Sequence, residues 1–224
     1  MTGRLPPSRH DLVWLRPRWR GSLLSSLSPD AAALAQGWLD RGLPAVTSRL
    51  DARAAAGAVT LGIALPPAPE RRRVSFTVAW EAVAAVARPL RLCGVLRSAP
   101  APFQPALESL CADARAVGLS LGVYGSLAWQ HLSGDPYLRE GSDVDLLVEP
   151  QTQSELSRAL ELLGSRASLS RPRLDGELVL GGCGFSWREL LSSPRRVLMK
   201  SPASVSLVSL SDVLGWLGSA EGAR

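Results

Sequence analysis

The stretch from Leu119 to Val148 constrains this chain more than any other. An apolar run, Leu119 to Tyr124, enters Gly125-Ser126, and a second run opens as Ser142-Asp-Val-Asp and continues as Leu-Leu-Val148. Aliphatic and β-branched residues bounded by turn-formers predict two short buried strands. On a strand, side chains two apart share a face. Asp143 and Asp145 therefore project together, while Val144 and Leu146 project to the other side. One face of such a sheet must be core, and the other must carry a carboxylate pair.

Two parallel carboxylates repel each other unless a cation stands between them. Hard divalent ions, Mg²⁺ or Mn²⁺, take carboxylate oxygens and leave positions open for phosphate. Gly125 can adopt backbone angles closed to other residues, so a phosphate can approach the turn closely. Ser126 adds a hydroxyl and a backbone N–H at the start of a helical turn, a favourable place for an anion. The combination predicts metal-assisted transfer with diphosphate as leaving group. A third acid is expected from a neighbouring strand. In Arg173-Leu-Asp-Gly-Glu-Leu-Val-Leu180 the preferred residue is Asp175, as ligand or base, with Glu177 on the same face as the alternative. Asp175-Gly176 is also a good hairpin turn sequence.

Around this segment, Asp11–Leu15, Ala58–Leu65 and Val74–Trp80 read as strands. Pro29–Leu39 reads as a helix, with Ser28 as N-cap and Pro29 at its first position. Pro105–Val117 and Gln153–Leu163 carry apolar residues at helical spacing, and Glu177–Leu180 and Arg196–Met199 read as further strands. The proline cluster at Leu65-Pro-Pro-Ala-Pro69 suggests a boundary. The expected organisation is α+β: a small N-terminal α/β domain over residues 1–69, then a mixed-sheet domain with flanking helices over 70–224.

Within its 224 residues the chain carries a formal charge of +5, and Lys200 is its only lysine. A pI near 9.8 suits a phosphate-rich ligand. No basic stripe interleaved with aromatics speaks for nucleic acid. Three scattered cysteines, Cys93, Cys111 and Cys183, show no metal-ligand spacing and suggest reduced thiols in a cytoplasmic protein. Apolar stretches are too short for a membrane span, and no signal peptide is apparent.

Several segments together resemble a known family. They are Gly-Ser-Leu-Ala-Trp-Gln130, Tyr137-Leu138, Ser142-Asp-Val-Asp-Leu-Leu147, Arg173-Leu-Asp-Gly-Glu177, the opening Arg9-His10-Asp-Leu-Val-Trp-Leu15, Arg71-Arg72-Arg73-Val-Ser-Phe76, Trp187-Arg-Glu-Leu190 and Val197-Leu-Met-Lys200. Spread over nearly the whole chain, they are similar to the malonate decarboxylase holo-acyl-carrier-protein synthases, or phosphoribosyl-dephospho-coenzyme A transferases. The resemblance implies a nucleotidyltransferase-like second domain. It also implies 2′-(5-triphosphoribosyl)-3′-dephospho-coenzyme A as donor, a serine of the apo acyl-carrier subunit of malonate decarboxylase as acceptor, and release of diphosphate.

On that reading Asp143 and Asp145 hold the metal, and Gly125 and Ser126 hold phosphate. Arg71, Arg72 and Arg73 clamp phosphates of the coenzyme A part. Lys200 neutralises leaving-group charge, and His10 is a substrate contact. The segment from Ser126 to Asp143 forms a loop or helical flap over the substrate. Trp14, Trp80, Trp129 and Trp187 are expected in the core rather than against adenine. The competing expectations are a general nucleotidyltransferase acting on another protein or a small molecule, and a binding protein that has kept the fold.

Overall fold

The computed structural model describes residues 7–48, 57–66, 72–167 and 171–221. They form two compact units that meet in sequence at Pro89/Leu90, the second unit excluding Pro202–Ser204. The first comprises β1 (Leu12–Leu15), α1 (Pro29–Asp40), β2 (Ala45–Thr47), β3 (Ala58–Ala64), β4 (Arg73–Ala79) and β5 (Val83–Ala87). Its sheet runs β4-β3-β2-β1-β5, antiparallel at every step.

Helix α1 begins where Ser28, in extended conformation, accepts the Ala31 N–H at 3.2 Å, with Pro29 in the first turn. This cap satisfies a backbone donor that has no partner within the helix. The helix buries Ala35 and Trp38, and the Trp38 indole donates to the Pro44 carbonyl at 2.9 Å. Strand β4 alternates, burying Val74, Phe76 and Val78. Phe76 meets the Trp19 ring at 5.1 Å between centroids.

The boundary expected between residues 69 and 70 is corrected here. Strands β3 and β4 pair along their whole length from Ala58↔Ala79 to Ala64↔Arg73, and Leu65 N–H donates to Arg72 O at 2.9 Å. The proline cluster therefore falls, in sequence, between two paired strands of one unit. Proline is excluded from a central ladder but tolerated in a turn, so its clustering marked a strand end rather than a domain end.

The second unit contains β6 (Leu90–Arg91), α2 (Leu92–Val95), α3 (Gln104–Ala116), β7 (Gly122–Tyr124), α4 (Gly125–Ser133), β8 (Asp143–Val148) and α5 (Gln153–Ser165). It continues with β9 (Arg173–Leu180), β10 (Cys183–Ser186), α6 (Trp187–Leu191), β11 (Arg196–Lys200), β12 (Val205–Ser209) and α7 (Leu210–Glu221). The sheet order is β12-β11-β10-β9-β8-β7-β6. Only β8 and β9 are parallel; the other neighbours are antiparallel.

A parallel pair needs a crossover, and α5 supplies it. Thr152 caps α5 by accepting the Glu155 N–H at 3.1 Å, and the Glu155 carboxylate reaches back to the Gln151 N–H at 2.7 Å. Its apolar face sets Leu156, Ala159 and Leu163 into the core beside Val144, Leu146 and Val148 of β8 and Leu174, Leu178 and Leu180 of β9. Leu107, Leu127, Trp187 and Val213 bring α3, α4, α6 and α7 into the same cluster. By strand parity, Asp143, Asp145, Arg173, Asp175 and Glu177 share the opposite face. Among the described residues, no helix is long and apolar enough to cross a membrane.

Candidate active site

Strand β7 runs directly into α4, and the junction is Gly125, with φ of +65°. A side chain rarely adopts that conformation. Space forbids one as well: a Cβ here would stand 2.0 Å from Asp145 Oδ2 and 3.0 Å from its Cγ. The carboxylate of β8 therefore lies against the backbone of the turn. Antiparallel pairing of Tyr124 with Asp145 sets this contact. The two halves of the motif, 20 residues apart as 145 − 125, are in contact. Ser126 lies half-buried in the first turn of α4, whose N-cap makes no side-chain hydrogen bond.

Asp143 and Asp145 are half-buried on one face of β8, while Val144 between them is fully buried. Parallel pairing places Asp145 opposite Asp175 and Asp143 opposite Arg173. The Asp175 carboxylate accepts the Gly176 N–H at 2.8 Å. Asp175-Gly176 lies inside β9, not in a hairpin turn; that turn falls at Gly181-Gly182. Gly176 has φ of +136°, and a Cβ there would stand 1.9 Å from Leu146 O. Backbone pressed against backbone at this point is why a glycine interrupts the strand.

Glu177 follows on the same face but is nearly sealed from solvent, at 3% exposure. Lys200 Nζ donates to its Oε1 at 2.7 Å. Gly184 pairs with Lys200 on one side and with Val179 on the other. Having no side chain at 184, β10 leaves a gap that Lys200 can cross to reach β9. Of the two candidate third acids, Asp175 stands in register with Asp145, and Glu177 is engaged by the lysine.

Arg173 was not singled out from sequence, yet it makes a two-pronged contact at the site. Its Nε and Nη2 donate to Asp143 Oδ1 and Oδ2, each at 2.7 Å. This hydrogen bond and then the charge of Asp143 raise the guanidinium pKa above its ordinary value; burial opposes them, and the charge of Asp175 adds the least. Among the described residues, no three acidic, histidine or cysteine side chains are gathered into a ready metal cage. Asp143, Asp145 and Asp175 nevertheless offer oxygen donors alone, the chemistry suited to Mg²⁺ or Mn²⁺. The cradle at Gly125 keeps one of those carboxylates close to the turn.

The segment between the motif halves is tied down rather than loose. Helix α4 takes its first part, ending at Gly134 with φ of +75°. The Gln130 side-chain oxygen then accepts the Tyr137 and Leu138 N–H groups, each at 2.9 Å, and both residues are buried. His10, Arg72 and Arg73 belong to the first unit. His10 is buried at φ of +72°, its N–H bonded to Thr47 O, while Arg72 and Arg73 are exposed. Arg71 lies outside the described residues. Trp129 and Trp187 are buried, whereas Trp14 and Trp80 are only partly so.

Residues 8–89 match the family model for the N-terminal domain of the phosphoribosyl-dephospho-CoA transferase MdcG, and residues 90–211 match that for its C-terminal domain. The chain is 37% identical to a phosphoribosyl-dephospho-CoA transferase of Xanthomonas campestris pv. campestris (strain 8004), over 86% of this chain and 89% of the relative. It is 35% identical to that of Bradyrhizobium diazoefficiens over 92% of each. For the Pseudomonas fluorescens protein of the same name the identity is 32%, over 93% of this chain and 95% of the relative. No solved structure matches. The two family models meet at the same Pro89/Leu90 junction that divides the folded units, and with these relatives they show that the chain belongs to the MdcG family of phosphoribosyl-dephospho-CoA transferases.

Proposed function

We propose that this chain attaches the phosphoribosyl-dephospho-coenzyme A group to a serine of the apo acyl-carrier subunit of malonate decarboxylase. The donor is 2′-(5-triphosphoribosyl)-3′-dephospho-coenzyme A. The serine oxygen bonds to the phosphorus next to the ribose, the bond from that phosphorus to the outer two phosphates breaks, and diphosphate leaves. Family membership over both units supports the substrate pair. The observation that carries the chemistry is the placement of Asp145, against the Gly125 turn on one side and in register with Asp175 on the other.

Each residue has a role in this scheme. Gly125 and Ser126 bring backbone N–H groups of α4 to the phosphate chain. Asp175 takes the serine proton as general base. Lys200, steadied by Glu177, balances charge on the departing diphosphate. Asp143 and Asp145 would hold Mg²⁺ or Mn²⁺, which supplies charge stabilisation at the phosphoryl oxygens when bound. His10, Arg72 and Arg73 remain proposed substrate contacts of the first unit, together with Arg71. A reducing cytoplasm suits the free thiols, and neither nucleic acid nor membrane has a part in the scheme.

The test uses the full chain with apo acyl-carrier subunit and either the triphosphoribosyl donor or ATP. Expected is a mass gain on the carrier equal to phosphoribosyl-dephospho-coenzyme A, with stoichiometric diphosphate, from the first donor only. Labelling by ATP alone would make the protein a general nucleotidyltransferase instead.

A further inference from the structure

We infer that Arg173 is an exchange residue: it holds Asp143 before substrate binds, and passes to the phosphate chain of the incoming substrate when a divalent cation takes its place. The inference rests on the metal-and-triphosphate reading above and adds to it a residue and an order of events.

Geometry sets the two states in competition. The guanidinium fork uses both oxygens of Asp143, with Nε on one and Nη2 on the other. The fork takes a lone pair on each oxygen and neutralises part of their charge, so a cation drawn to the same carboxylate competes with it. The acceptor and donor also differ in freedom. The Asp143 side chain is 26% exposed on its strand, whereas that of Arg173 is 68% exposed. A long side chain lying mostly in water can swing away at little cost, because exposed ion pairs contribute little net stability.

Charge explains why the fork is closed first. Asp143, Asp145 and Asp175 stand on neighbouring positions of two paired strands. Three such carboxylates repel one another, and Arg173 offsets part of that repulsion. A divalent cation offsets more, which releases the arginine beside an arriving triphosphate. The guanidinium fork fits a phosphate as well as it fits a carboxylate. Lysine would supply the charge without the two parallel donors.

Cation and triphosphate should therefore bind cooperatively, and the coupling must be reciprocal. Calorimetry of the full chain with Mn²⁺, inorganic triphosphate, or both reads this without turnover. For the unaltered protein, Mn²⁺ alone should bind weakly and inorganic triphosphate should tighten it. In Arg173→Ala, Mn²⁺ alone should bind about fivefold tighter, since its competitor is gone. Triphosphate should bind about tenfold more weakly, having lost a charged partner. Arg173→Lys should restore less than half of the triphosphate loss.

Asp143→Asn gives the reverse test. With the fork opened from the other side, metal-free triphosphate should bind more tightly than to the unaltered protein. Thermal melting confirms that each variant is folded before it is titrated. Unchanged Mn²⁺ affinity in Arg173→Ala, with unchanged triphosphate affinity, overturns the exchange while leaving the transfer reaction standing. Absence of Mn²⁺ binding in every form overturns both the exchange and the metal-assisted reading on which it rests.

Discussion

The carboxylate of Asp145 packs against the backbone of Gly125, leaving no room for even a methyl group between strand β8 and the first turn of α4. Gly125→Ala meets two obstacles, a positive φ and a Cβ 2.0 Å from Asp145 Oδ2. The backbone conformation alone costs an alanine about 1–2 kcal/mol. Relief of the clash must turn the carboxylate away from the site. The expected outcome is a folded protein with a lowered melting temperature and no measurable carrier labelling.

Asp143 and Asp145 are half-buried on the face of β8 opposite the apolar cluster, so changing their charge should spare the fold. Asp143→Asn and Asp145→Asn should each lower the rate of diphosphate release by on the order of a thousandfold, the scale of losing one preorganised electrostatic group. Near-ultraviolet circular dichroism should stay unchanged. Release at the unaltered rate in either variant would remove that aspartate from the mechanism.

Lys200 and Glu177 form a contact of a different kind, since the carboxylate side chain is buried and the lysine side chain is about one-third exposed. Lys200→Met removes a charged hydrogen bond and should cost about 2 kcal/mol in urea unfolding. Glu177→Gln keeps the shape and removes the buried charge, so its cost should be smaller. The proposed role at the leaving group predicts that Lys200→Met also lowers kcat more than it raises KM.

Cys111 is buried on α3, and burial followed by its hydrogen bond with Cys93 pushes its thiol up to about 12. Cys93 is exposed. Iodoacetamide at pH 8 should alkylate Cys93 and spare Cys111, as read by peptide mass. The sign for stability follows from linkage. A folded-state pKa above the unfolded value means that the contribution is fully present below the ordinary thiol value of 9.0. It is then lost as pH rises from there towards 12. Replacing Cys111 by alanine should flatten that alkaline decline in urea midpoints.

Local patterns carried a good part of this structure. Ser28-Pro29 announced α1 through its cap, and the paired acids of β8 declared their shared face through a period of two. Short elements were not legible: β2 and β6 have three and two residues, too few for any period to show. The proline cluster misled because proline disrupts a ladder equally at a hairpin end and at a domain end. Arg173 was missed because its partner lies across a parallel pair, and nothing local in either strand encodes that register. Lys200 drew notice only as the sole lysine; its carboxylate partner depends on a side-chain-free position in the strand between them.

The single parallel pair, β8 with β9, also decides what a partial chain can do. Its strands are joined through α5, so Asp145 and Asp175 become neighbours only through a closure that is distant along the chain. Contacts of that kind carry a loop-closure entropy that a local turn does not. A nascent chain that has emerged only as far as α5 already holds the Gly125 turn and both β8 aspartates, but not the strand that completes them. A chain truncated before β9 would therefore carry half a catalytic centre and no activity.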